Sequence, residues 1–170
     1  MPTTTHEEIT VRVHEARADE DEIVDFSLEG LLIAAFAGIM AVMAVLYAAP
    51  AFGLPRIDVV GLAGKLFTAD RYGVIVIGAL LWVGLGLVWA VLYIGLWNRG
   101  IGGAGLRSGL LFGLIHGNVV MALYPVLLTF HPAGRQFPVG IDAAICIVLA
   151  HLVFGGVIGL VYRLYLPEPA

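Results

Sequence analysis

The sequence predicts an all-α, polytopic membrane protein, a four-transmembrane-helix bundle with a short interfacial helix after the first span. Three observations carry this prediction. Of 170 residues, 60% are hydrophobic and 13% charged, with a mean hydropathy of +0.96, whereas soluble domains carry roughly 25% charged residues. Four apolar stretches, about 29–49, 73–97, 105–130 and 139–165, are each long enough to cross a hydrocarbon core of about 30 Å. They are continuous runs, not segments of about ten residues with alternating polarity, which excludes a transmembrane barrel.

Residues 1–28 form an acidic extramembrane tail ahead of a transmembrane domain at 29–166. Up to Glu29 the chain holds nine acidic residues against Arg12 and Arg17, while the remainder is net positive. The first apolar stretch follows this acidic segment and not a short basic one, so a retained span is expected in place of a cleaved signal peptide. Ile9, Val11 and Val13 alternate with Thr10 and Arg12, the period of a half-buried strand. Two readings stay open: a strand that adds to a partner's sheet edge, or an acidic disordered tail. Ala16–Phe26 could continue as helix into the membrane.

In the first span Gly30, Ala34 and Gly38 recur every four residues, a packing face of small residues. Pro50 ends or kinks that helix. Between Pro50 and Tyr72 the polar Asp58, Gly61, Lys65 and Thr68 recur at three- or four-residue spacing opposite an apolar side. This predicts a short helix over Ile57–Phe67, capped near Asp58 and lying on the membrane surface; a re-entrant segment is the alternative. The second span carries Gly78, Gly86 and Ala90 with Trp82 in the same row, and Tyr93 and Trp97 suit an interfacial belt at its end. Asn98 to Gly103 then reads as a tight turn.

The third span is the most patterned. Gly105, Gly109, Gly113 and Gly117 keep an unbroken four-residue spacing, which opens a groove for a neighbouring helix. At 100° per residue His116 lies about 20° from Gly109, and Tyr124 falls on the same side. Asn118 points away from the glycine ridge, so it should meet another helix, another protomer or a partner subunit. Pro125 should bend the last turns. The fourth span opens with Asp142, a first-turn acid favoured by the helix dipole, and carries His151, Gly155 and Gly159 in one row. The single cysteine, Cys146, lies within it and has no disulfide partner.

His116 and His151 each lie near the centre of their span, on helices joined by a short turn, so their imidazoles should meet at similar depth. Two opposed histidines can ligate a haem b iron axially. The alternative is a pair of neutral histidines hydrogen-bonded within the bundle. No metal cluster, nucleophile–base set, phosphate loop or nucleic-acid surface is recognisable.

Leu54-Pro55-Arg56-Ile57-Asp58 after a glycine- and alanine-rich first helix, followed by Arg107-Ser108-Gly109-Leu110-Leu111-Phe112-Gly113-Leu114-Ile115-His116, resembles a group of small four-helix prokaryotic integral membrane proteins with no assigned activity. The likeness covers much of residues 30–125. Members often carry a histidine in the second helix, where this chain has Leu81-Trp82-Val83. That departure weakens any metal site the resemblance implies.

Taken together, these features point to a non-enzymatic protein of the cell (inner or plasma) membrane that binds no cofactor. It would act as an accessory or self-associating subunit of a membrane complex packed through its Gly-rich helix faces, with lipid and other membrane subunits or its own copies as partners. A single-haem electron carrier using His116 and His151, and a small channel or transporter, are the alternatives. Four spans place both termini on one side. Arg12, Arg17, Arg99, Arg107 and Arg163 lie there, against Arg56, Lys65, Arg71 and Arg135 on the other. Arg99 and Arg107 bracket a very short loop, where positive-inside bias is strongest, which favours cytoplasmic termini.

Overall fold

Every backbone amide in an apolar surrounding must find its partner inside its own segment, and continuous apolar runs do so by forming helices. The computed structural model describes residues 27–166, so the expected strand at Ile9–Val13 and helix at Ala16–Phe26 lie outside the described residues. The described residues are helical, without a strand, in the order α1 (Leu28–Ala48), α2 (Val59–Gly64), α3 (Arg71–Leu92), α4 (Leu106–Phe130) and α5 (Ile141–Arg163). Four of these helices, some with a short helical extension, are long and apolar enough to cross a membrane.

α1 buries the small-residue face seen in the sequence: Gly30, Ala34 and Gly38 are all inside, together with Ile39, Val42 and Leu46. It runs on as a 3-10 turn over Ala49–Phe52, with Pro50 near its start, where a missing N–H costs nothing. Gly53 closes that turn with a φ of 77°, a conformation open to glycine but strained for other residues.

α2 is shorter than the expected Ile57–Phe67, because the chain tightens into a turn after Gly64. Asp58 caps it, its Oδ1 accepting from Gly61 N at 2.9 Å. α2 is docked against α3 with the two backbones touching. A Cβ on Gly64 would fall on the carbonyl oxygen of Val74, and one on Gly78 would fall on that of Val60. The other side of α2 is tied to the connection between α4 and α5. His131 Nδ1 accepts from Ala133 N at 3.0 Å, so the proton is on Nε2, which donates to the carbonyl of Leu62 at 2.7 Å. Lys65 Nζ donates to Gln136 Oε1 at 2.7 Å over the ring of Phe137.

α3 starts at Arg71, where Asp70 accepts from Gly73 N at 2.7 Å. It buries Gly78, Gly86 and Ala90, the row read from the sequence. Its end differs from expectation: in place of a turn at Asn98–Gly103, the chain continues as a π-helix over Tyr93–Gly102. A Cβ on Gly102 would meet Trp97 Nε1 and Ser108 Oγ, and the aromatic side chains of this wide helix hold it against α4. Tyr93 and Trp97 pack on Phe112, with ring centroids at 5.2 and 5.7 Å, and Trp97 Nε1 donates to Ser108 Oγ at 2.9 Å. The turn shrinks to the residues around Gly103 and Gly105, both with positive φ.

α4 begins at Leu106, so Gly105 is its N-cap and not its first helical glycine. Pro125 sits inside the helix, which continues to Phe130. α5 lies at the centre: 44% of its most apolar window is buried, against 17% for α3. It packs most extensively on α4 and next on α1. Against α4 the contact is backbone to backbone. A Cβ on Gly109 would fall on the carbonyl oxygen of Gly155, one on Gly113 on that of His151, and one on Gly159 on that of Gly105. A Cβ on Gly117 would meet His151 Cβ at 2.9 Å and Val148 Cα at 3.2 Å. Against α1, side chains fill the seam: a Cβ on Gly38 would meet Ile158 Cγ1 at 2.8 Å and Phe154 Cδ2 at 3.1 Å.

Candidate functional site

Glycine contacts bring α4 and α5 close, whereas α3 and α4 are held apart by large rings. Successive contacts pair Trp89 with His116, Tyr93 with Phe112 and Trp97 with Ser108. As numbers rise along α3 and its extension they fall along α4, so the two run antiparallel. The separation leaves a cavity of about 210 Å³ enclosed by residues of all four long helices and of α2.

His116 lies on one wall, 5% exposed. The indole of Trp89 stacks on it, with centroids 3.7 Å apart and planes at 30°, while Phe112 and Phe154 approach at 5.9 and 6.0 Å. Neither of its ring nitrogens has a hydrogen-bond partner. His151 comes from α5 edge-on, with centroids 4.5 Å apart and planes at 83°. Its Nδ1 lies 2.7 Å from the carbonyl of Ile147, which places the proton there and leaves Nε2 as an acceptor. The two histidines therefore meet at one depth in the bundle, one anchored to its own helix and one unanchored.

That contact is a poor fit for a haem. Axial imidazoles bind on opposite sides of one iron, each nitrogen about 2 Å from the metal, with the macrocycle between them. Here the rings touch edge to face and Trp89 covers another side of His116, so no slot for a flat macrocycle lies between them.

Tyr124, from two turns further along α4, also lines the cavity, 7% exposed with its hydroxyl unpartnered. Trp82 adds an unpartnered Nε1 from α3. A buried donor without an acceptor costs about 1–3 kcal/mol, so three such side chains around one cavity, two from α4 and one from α3, are not a neutral feature of packing. Among the described residues no Asp, Glu, Lys or Arg lines it. The cavity is apolar with a few convergent polar groups, the usual character of a small-molecule site.

Other sequence candidates lie elsewhere. Asn118 is exposed on the outer face of α4, its amide donating back to the carbonyl of Leu114 at 2.8 Å. Asp142 is exposed in the first turn of α5. Gly105, Gly109, Gly113, Gly117, Gly155 and Gly159 lie at the α4–α5 contact, with Gly105 outside the helix proper. Trp89, which forms the stack on His116, was not singled out in the sequence. Its signal is the seven-residue interval from Trp82, which puts both indoles within about 20° of each other on one helix face. No protein-family model, characterised protein or solved structure matches this chain.

Proposed function

We propose that this chain is a non-enzymatic, multi-pass protein of the cell membrane that acts as a self-associating or accessory subunit of a membrane assembly. Membrane residence is supported by four helices of spanning length whose outward faces carry large apolar side chains such as Leu80, Leu123 and Leu160. Contiguous apolar surface of that extent is unfavourable in water.

The observation that carries the subunit role is Asn118. Its amide lies in the middle of α4 on the outer face, and among the described residues its one side-chain hydrogen bond runs back to Leu114. Unused amide groups facing hydrocarbon are costly, and an interhelical hydrogen bond relieves that cost by about 1 kcal/mol. The glycines of α4 and α5 are engaged with each other within one chain. Association is therefore assigned to the outward face around Asn118.

Native mass spectrometry in mild detergent should give a dimer or higher species for the parent, with dissociation several-fold easier in Asn118→Leu. A parent that stays monomeric with no companion subunit, or a variant that associates as well as the parent, would remove the support.

Both termini are assigned to the cytoplasm, with Thr68 on the outer side. In a Cys146→Ser background, Thr4→Cys should resist a membrane-impermeant maleimide on intact cells while Thr68→Cys reacts. The reverse pattern would invert the protein.

A further inference from the structure

The geometry points to the cavity between α3 and α4 as a binding site for a neutral, lipid-soluble ring bearing two opposed carbonyl oxygens, a quinone with an apolar tail. This inference goes beyond the subunit role and does not depend on it.

The ligand's charge follows from the lining. Among the described residues no ionised side chain reaches the cavity, and a charged ligand would be left there without a counter-ion. Its polarity follows from the groups left without partners. Trp82 Nε1 can only donate, and the hydroxyl of Tyr124 and the N–H of His116 can both donate. Buried donors in want of acceptors call for a ligand that carries acceptors.

The spacing of those donors narrows the class. Because α3 and α4 are antiparallel and Trp89 lies level with His116, Trp82 and Tyr124 share a second level. Seven residues along α3 and eight along α4 put the two levels about 11 Å apart. A six-membered ring with carbonyl oxygens on opposite corners, with a hydrogen bond of about 2.9 Å at each end, has the length to bridge donors on two such levels. Flat aromatic walls from Trp82, Trp89 and Phe154 suit such a ring.

Size and access agree with this. An engineered cavity of about 150 Å³ accepts benzene, so a volume of about 210 Å³ accepts a substituted ring but not a long tail. Leu85, Leu123 and Leu127 line the cavity yet are 50%, 58% and 42% exposed. Residues that are both lining and exposed mark the mouth, which therefore opens sideways between α3 and α4. In a bilayer a sideways mouth faces acyl chains, where the ligand's tail would lie and from which the ligand would enter.

The test uses the full chain in lipid nanodiscs and a benzoquinone with a ten-carbon tail. Trp82 and Trp89 line the cavity, so occupancy should quench tryptophan emission saturably. Trp82→Phe and Tyr124→Phe should each weaken binding about tenfold, and Val120→Trp, which fills the cavity, should abolish saturation. Decylbenzene, with the same tail and ring but no carbonyl, should bind at least tenfold more weakly to the parent. Quenching that never saturates, equal binding of decylbenzene, or full affinity in both donor variants would each overturn the assignment. The comparison of the two probes needs no variant, so it stands even if a substitution fails to fold.

Discussion

Gly113→Leu should collapse the bundle, whereas Gly84→Leu should leave it intact or slightly more stable. At Gly113 a Cβ would fall on the carbonyl oxygen of His151 and come within 3.0 Å of Leu152 Cα. Both are backbone atoms of α5, so no rotamer change relieves the clash and the two helices must separate. Overpacking a close contact costs about 1–3 kcal/mol and more when backbone must move, which for a leucine in this seam means about 3 kcal/mol or above. Separation would also part His116 from His151, because both belong to the same pair of helices. Gly84 is also a helical glycine, but a Cβ there meets nothing within 4 Å, and replacing glycine in a helix gains about 0.8–1 kcal/mol of propensity. Thermal denaturation in one detergent, followed by the loss of monodisperse protein on gel filtration, compares the two directly. Equal midpoints for Gly113→Leu and the parent would mean that the α4–α5 contact is not made as described.

Gly64→Leu should release α2 while the long helices stay assembled. A Cβ on Gly64 would fall on the carbonyl oxygen of Val74 in α3, again backbone and again unyielding. α2 has six residues, too few to persist as a helix once it loses that support. The bonds from His131 to Leu62 and from Lys65 to Gln136 would then lack their geometry. Lys65 lies just after α2, so limited trypsinolysis in detergent should cut there at least tenfold faster in the variant than in the parent. Equal cutting rates would show that the glycine contact does not hold α2 in place.

The parts of this arrangement that were legible in the sequence are those that depend on one helix at a time. Four-residue glycine spacing needs only helical geometry to become a row, and the inward position of His116 and Tyr124 followed from angle alone. Asp58 was legible as a cap because a capping carboxylate acts within one turn. Features that require two segments at once were not legible. Gly64 is unremarked in the sequence because its reason is Val74, ten residues away on another helix. His131 is engaged with Leu62, 69 residues away in sequence, a partner that no local pattern announces. The last residues of the π-helix, from Asn98 on, read as a turn because Asn98-Arg99 and the glycines beside them are ordinary turn residues; what holds the wider helix is Phe112 and Ser108 on α4. The cavity belongs to the same class, since it exists only where the rings of α3 keep that helix from closing on α4.

The central place of α5 has a consequence for the order in which the chain assembles. α1 and α4 both find their largest partner in α5, which follows both of them in the chain. During translation α1, α3 and α4 can form as separate helices, but the two main seams stay open until residues beyond Ile141 have been made. The growing chain therefore carries its glycine groove uncovered from the completion of α4 until α5 emerges, and the two seams close only then. This is the reverse of the usual sequence in which N-terminal parts pack first. A ribosome that stalls before Ile141 would leave α1 and α4 without the partner they share.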